Sequence, residues 1–137
     1  MRLILAALTC VAATCGAART ALAQEASFQT PSGNIACAMF DDAAPVVRCD
    51  IRDYASSFAR PDGCDLDWGY AFEVGASGQG YPLCAGDTVA MPGADVLGYG
   101  QSVTLGGITC TSAQTGMTCQ NGQGGGFTLS KARQRVF

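Results

Sequence analysis

Thiols and carboxylates carry the available chemistry in this 137-residue sequence, because it contains no histidine. Without imidazole there is no Ser-His-Asp or Cys-His proton shuttle. Mixed Cys/His zinc sets are excluded on the same ground. A Cys-only zinc site or a dithiol redox centre needs closely spaced pairs such as Cys-x-x-Cys, and the eight cysteines include none. Disulfides are therefore expected in place of metal ligands, and no cofactor is implied. Lys131 is the single lysine. Its neighbour Ser130 reads better as the cap of a short helix than as half of a Ser-Lys catalytic pair.

The carboxylates give two weak candidate sites. Asp62, Asp65 and Asp67 surround Gly63 and Cys64 in one turn, and Asp87 would join them if Cys64 pairs with Cys84. Four such groups can gather oxygen ligands for calcium, but the spacing departs from Asp-x-Asp-x-Asp-Gly. Aspartate in a turn more often bends and caps the backbone. Asp65, Asp67 and Asp87 are also the candidates for a hydrolase, which needs two carboxyls about 5 to 9 Å apart in a cleft. Residues 122–126, Gly-Gln-Gly-Gly-Gly, lack the Lys-Ser/Thr and helix of a phosphate loop and suit a hairpin turn. Trp68, Tyr70, Tyr81 and Tyr99 are candidates for a surface that contacts carbohydrate or peptide. In a chain with few large side chains they also suit the core or its edge, and Trp68, between Asp67 and Gly69, is the least suited to full burial.

These groups must be held by a small exported domain. Arg2, an apolar run from Leu3 to about Ala18, and Ala21-Leu22-Ala23 form a signal peptide by pattern, with cleavage before Gln24. The run is short for a membrane span, which needs about 20 residues, so an anchored helix is the poorer reading. Lipid attachment at Cys10 or Cys15 is disfavoured because neither has a leucine three residues ahead. Residues 24–137 then form one domain, secreted or periplasmic, with no membrane span after cleavage. Losing Cys10 and Cys15 from eight leaves six cysteines, and in an oxidising compartment six imply three disulfides with 15 possible pairings.

An internal repeat selects among the pairings. Gly33-Asn34-Ile35-Ala36-Cys37 matches Gly106-Gly107-Ile108-Thr109-Cys110, and Val47-Arg48-Cys49-Asp50 matches Met117-Thr118-Cys119-Gln120. Each half reads as a strand with one cysteine, and each pair of halves as a stapled hairpin. The expected bridges are Cys37–Cys49, Cys64–Cys84 and Cys110–Cys119. Tyr70, Phe72 and Val74 alternate with Ala71 and Glu73, and residues 96–105 alternate with Leu97, Tyr99 and Val103 inward. Residues 24–27 read as a loose terminus, 52–59 as irregular or a short helix, Asn121-Gly122 as a tight turn with positive φ, and 131–137 as a short C-terminal helix capped by Ser130. With 18 glycines and turn signals about every 8 to 15 residues, the fold class is all-β: a small disulfide-stapled antiparallel sandwich or barrel with that one helix.

Taken together, Pro31-Ser32-Gly33-Asn34-Ile35-x-Cys37, Val47-Arg48-Cys49-Asp50-Ile51, Cys84-x-Gly86-Asp87-Thr88, Gly107-Ile108-x-Cys110-x-Ser112, Gly116-x-Thr118-Cys119-x-Asn121 and Gly126-Phe127-x-Leu129-Ser130 resemble a family of secreted bacterial proteins known only as a domain of unknown function. The resemblance covers Phe28 to Phe137. It implies an exported single domain with paired cysteines and carries over no catalytic residue. Without Arg2 and Arg19, six basic residues face eleven acidic ones, a net charge of −5. Nucleic acid is therefore a poor partner. The expectation is a non-catalytic binding module of the cell envelope or extracellular space, with a protein or glycan partner, including inhibition of another enzyme as a special case; the alternative is a carboxylate-dependent hydrolase.

Overall fold

Period-two alternation at residues 108–121 folds as a hairpin in which alternate side chains vanish from solvent. On β8 (Ile108–Ala113) these are Ile108, Cys110 and Ser112, and on β9 (Gly116–Asn121) they are Met117, Cys119 and Asn121. Cys110 and Cys119 face one another in register and are bridged. The repeat builds the same unit from β2 (Ile35–Asp41) and β3 (Val46–Ile51), where Cys37 faces and is bridged to Cys49. The computed structural model describes residues 24–137; the leader reading at 1–23, with Cys10 and Cys15, lies outside the described residues.

Each hairpin is the centre of a sheet. Around the first grow β1 (Gln24–Gln29), β4 (Asp67–Gly75), β5 (Tyr81–Ala85) and the two-residue β6 (Asp95–Val96), in the order β5-β4-β3-β2-β1-β6. Around the second grow β7 (Ser102–Leu105), β10 (Gly126–Leu129) and β11 (Gln134–Val136), in the order β11-β10-β9-β8-β7. All pairings are antiparallel except β1 with β6. The sheets pack face to face, β4 on β9 and β10 and β2 on β7, as a sandwich. The all-β, disulfide-stapled fold expected from the sequence is the fold observed.

Between the sheets, Cys49 Sγ lies 3.6 Å from Cys119 Sγ. Both sulfurs are in disulfides and carry no hydrogen, so this is van der Waals contact between the two staples. Met39, Val47, Phe72, Ile108, Met117, Phe127 and Leu129 surround them. Phe72 and Phe127 meet across the interface with centroids 6.2 Å apart, and Phe58, from the irregular 52–60 segment, tilts onto Phe72 at 5.7 Å. The third bridge, Cys64–Cys84, ties the 60–67 loop to β5 at the edge of the first sheet.

Four local readings are corrected. Residues 131–137 are not helical: Ser130 Oγ accepts from Arg133 N (3.1 Å) and donates to Arg133 O (2.8 Å), closing a tight turn that reverses the chain into β11. Gln134 is drawn inside, accepting from Ser57 N at 3.0 Å and donating to Ser130 O at 2.9 Å. Seven residues cannot hold a helix against such competing bonds. Residues 24–27 are part of β1, paired along β2 rather than loose. Tyr99 lies in a turn between β6 and β7 and is 47% exposed, not inward. Asn121 has no positive φ. It is instead a buried hub that donates to Gly75 O (3.1 Å) and Gly78 O (2.8 Å) and accepts from Gln123 N and Gly125 N (both 3.0 Å). A Cβ at Gly125 would fall 1.8 Å from Gly78 O, which explains the glycine run as close backbone approach.

The staples should contribute unequally. Loop-closure entropy favours Cys64–Cys84, with sequence separation 20 against 9 for Cys110–Cys119, by only about 0.7 kcal/mol. Emptying the fully buried Cys110–Cys119 site leaves a cavity that costs about 2 kcal/mol or more. Urea denaturation should therefore rank Cys110→Ala/Cys119→Ala as more destabilising than Cys64→Ala/Cys84→Ala; the reverse order would mean that the unfolded chain, not the core, sets the stability.

Candidate functional site

The alternation that sends Val47, Cys49 and Ile51 into the core turns Arg48 and Asp50 to the outer face of the first sheet. They are nevertheless 9% and 6% exposed, because the segment that follows β5 folds over them. Arg48 Nε donates to Asp50 Oδ1 at 2.9 Å and Nη2 to Oδ2 at 3.2 Å, a bidentate pair. Nη1 donates to Asp87 Oδ1 and Nη2 to the Asp87 carbonyl, both at 2.9 Å. Val89 N completes the node by donating to Asp50 Oδ2 at 2.9 Å. The Tyr70 hydroxyl donates to Ala85 O at 3.1 Å and also meets the Asp87 carbonyl. Burial opposes the Arg48 charge, but the bonds to Asp50 and Asp87 outweigh it and hold the guanidinium above its usual range. Arg48 in turn holds the Asp87 carboxyl below the usual carboxylate range. Burial, then the Asp50 charge, push the Tyr70 hydroxyl up.

Above this node opens a cleft of about 590 Å³, within the size range of small-ligand sites. Asp50 and Asp87 border it together with Tyr54, Trp68, Tyr70, Arg52, Arg60 and Asp67, and with Asn34 and Thr88. Its walls are tied together by backbone and ring bonds. The register of β4 on β5 shifts between Asp67 and Ala71, and Gly69 there has a φ of 90° that a side chain would strain. A Cβ at Gly69 would also lie 2.8 Å from Ser56 Oγ, so the bulge and the 52–60 segment need one another. Tyr54 donates to Trp68 O at 3.2 Å, and Trp68 Nε1 donates to Phe58 O at 3.3 Å. Arg60 Nη1 donates to Cys64 O (3.0 Å) and Leu66 O (2.7 Å). Asn34 bonds Asp53 in both directions, Nδ2 to O at 3.1 Å and Oδ1 from N at 2.8 Å.

Of the residues singled out in the sequence, Trp68, Tyr70, Asp67 and Asp87 come together in this cleft. Tyr81 does not: it sits on β5, bonded through its hydroxyl to Glu73, and burial followed by that bond pushes the hydroxyl up to about 12. Tyr99 lines a different hollow, near Lys131. Asp62 and Asp65 are exposed on the 60–67 loop and do not line the cleft. Among the described residues the one group of three potential ligand atoms within 4.8 Å is Cys37, Cys49 and Cys119, all of them in disulfides. The four aspartates are thus not gathered as a calcium cage. Sequence reasoning missed Arg48, Asp50, Arg52, Arg60 and Tyr54. The Arg48/Asp50 signal was present, since two opposite charges one residue apart share a face in an otherwise apolar strand.

Residues 4–137 match the model of a family described as "Family of unknown function (DUF6636)". No curated protein and no solved structure matches the chain.

Two outcomes follow from the node. Arg48→Met leaves Asp50 buried without its cation and should cost about 3 to 5 kcal/mol in denaturant unfolding, whereas Asp87→Asn, at the exposed end, should cost far less. Because Asp87 titrates lower in the folded protein, its contribution is present above the unfolded value of about 3.9 and is lost as pH falls below it. Thermal unfolding followed from pH 6 to pH 2.5 should fall less steeply for Asp87→Asn than for the unmodified protein; parallel curves would contradict the pairing.

Proposed function

The chain belongs to that family, and we propose that it is a non-catalytic binding module whose ligand enters the cleft above Arg48. The observation that carries this reading is the division of labour among the lining residues. Three aromatic residues and two arginines outside any ion pair among the described residues face the cavity, while of the nearby carboxylates Asp50 is bonded to Arg48 through both oxygens and Asp87 through one. A general acid needs a carboxyl whose pKa is raised; that of Asp87 is lowered. Export as a secreted or periplasmic protein fits both the leader pattern at 1–23 and three disulfides. Among the described residues no helix is long and apolar enough to cross a membrane. The partner is a glycan or a protein, and a basic enzyme held by the acidic chain is a special case.

The carboxylate hydrolase remains the second reading because Asp67 and Asp87 share the cleft; Asp65 lies outside it. A capture experiment separates the two. Oxidised protein, its Trp68→Ala variant and its Asp67→Asn/Asp87→Asn variant are immobilised and offered envelope and culture extracts. Binding predicts that the same material is retained intact by the unmodified protein and by the double aspartate variant, weakened at most a few-fold there, and at least tenfold less by Trp68→Ala. Retention indifferent to Trp68, or turnover of a retained glycan that disappears with the aspartates, would overturn it.

A further inference from the structure

The cleft's donors and acceptors are specific enough to name the chemistry of what it takes. We propose that its ligand is a carboxylated sugar within a glycan chain, a deduction that rests on the binding reading above. The aromatic residues supply the first part of the argument. The polar ends of Tyr54, Trp68 and Tyr70 are all spent on protein carbonyls, those of Trp68, Phe58 and Ala85. With their donors used, what these side chains chiefly offer a ligand is ring surface, the tyrosine oxygens being left only to accept, and ring surface is complementary to the apolar C–H face of a pyranose.

The arginines supply the second part. The ion pairs among the described residues all belong to Arg48, so Arg52 and Arg60 line the cleft without an acidic partner. Arg60 is also pre-positioned: Nη1 is held by the carbonyls of Cys64 and Leu66, leaving its other donors for a ligand. A guanidinium fixed in this way suits the planar, bidentate geometry of a carboxylate.

Charge then limits how much negative charge the ligand carries. Arg48 with Asp50 and Asp87 sums to −1 and Asp67 adds −1, while Arg52 and Arg60 add two positive charges, so the site is close to neutral. A neutral site in a chain of net −3 does not concentrate a polyanion. Dense phosphates are disfavoured, whereas a ligand with one carboxylate and many hydroxyls fits: the carboxylate to the arginines, hydroxyls donating to Asp67 and exchanging bonds with Thr88. Oligosaccharides with a single uronic acid and wall glycans bearing a lactyl carboxylate both present this chemistry.

Isothermal titration of the oxidised protein distinguishes these sources and tests the class. The probes are a disaccharide with one glucuronic acid, an N-acetylmuramic acid-containing disaccharide, the carboxyl-reduced form of each, a neutral cellotriose and inorganic triphosphate. At least one acidic sugar should bind tenfold or more tighter than its carboxyl-reduced form. Arg60→Gln and Arg52→Gln should erase that preference while leaving the weak binding of the neutral form, with Tm showing that both variants fold. Equal affinity for acidic and reduced sugars, or tighter binding of triphosphate, overturns the carboxylate assignment and leaves the binding reading intact. No sugar binding, with capture of a protein that still depends on Trp68, likewise rejects the sugar and keeps the cleft. If neither sugars nor captured material depend on Trp68, both readings fall.

Discussion

The contact between two disulfides at the centre of the sandwich is the constraint on which the remaining structure depends. Each staples a pair of adjacent strands in register, Cys37 to Cys49 in one sheet and Cys110 to Cys119 in the other. Because a one-residue slip in a strand turns every side chain to the opposite face, a covalent bond across the pair fixes which residues point inward. The 3.6 Å approach of Cys49 to Cys119 then sets the two sheets against one another where larger side chains would hold them apart. A domain of this size buries a modest core, and compact sulfur pairs allow Phe72 and Phe127 to meet directly beside them.

The same fixation decides what happens on the back of the first sheet. With Cys49 locked inward, Arg48 and Asp50 must face outward, and the segment following β5 must then cover and satisfy them. It does so through the Asp87 carboxylate and carbonyl and the Val89 amide. An ion pair buried in this way is weak evidence of stabilisation by itself. Its structural effect is to hold a loop against a strand, and that loop, the bulge at Gly69 and the 52–60 segment are the walls of the cleft. The cleft is consequently built from elements that are each bonded elsewhere, which reduces the ordering cost of binding.

The fold was legible in the sequence where covalent and periodic signals coincide. The repeat of a cysteine-bearing strand gave both hairpins and the three bridges, because period two and a paired half-cystine admit few arrangements, while the turn signals gave the all-β class and left sandwich and barrel both open. The site was legible only in part. Trp68, Tyr70, Asp67 and Asp87 were singled out for their side-chain chemistry, but their meeting depends on a bulge and on the fold-back of residues 86–90, neither of which has a local signature. Arg52, Arg60 and Tyr54 come from an irregular segment whose position is set by long-range bonds of Ala55 to Lys131 O and of Ser57 to Gln134, with Tyr54 reaching Trp68 O. The failed reading at the C-terminus has the same origin. Ser130 does cap, but it caps a reverse turn, because Gln134 finds partners on Ser57 that a helix would deny it.

On the proposed reading, ligand reaches this molecule through the cleft above Arg48 and not across the second sheet, whose strands carry the side-chain pairs Ser102/Thr111, Thr104/Thr109 and Thr118/Thr128. The most direct measurement is site-specific photo-crosslinking in the native compartment, with the photoreactive residue placed at Thr88 on the cleft or at Thr111 on the opposite sheet. Adducts should form from Thr88 and not from Thr111. Adducts from Thr111 with Thr88 silent would move the binding surface to the other side of the sandwich and rule the cleft out.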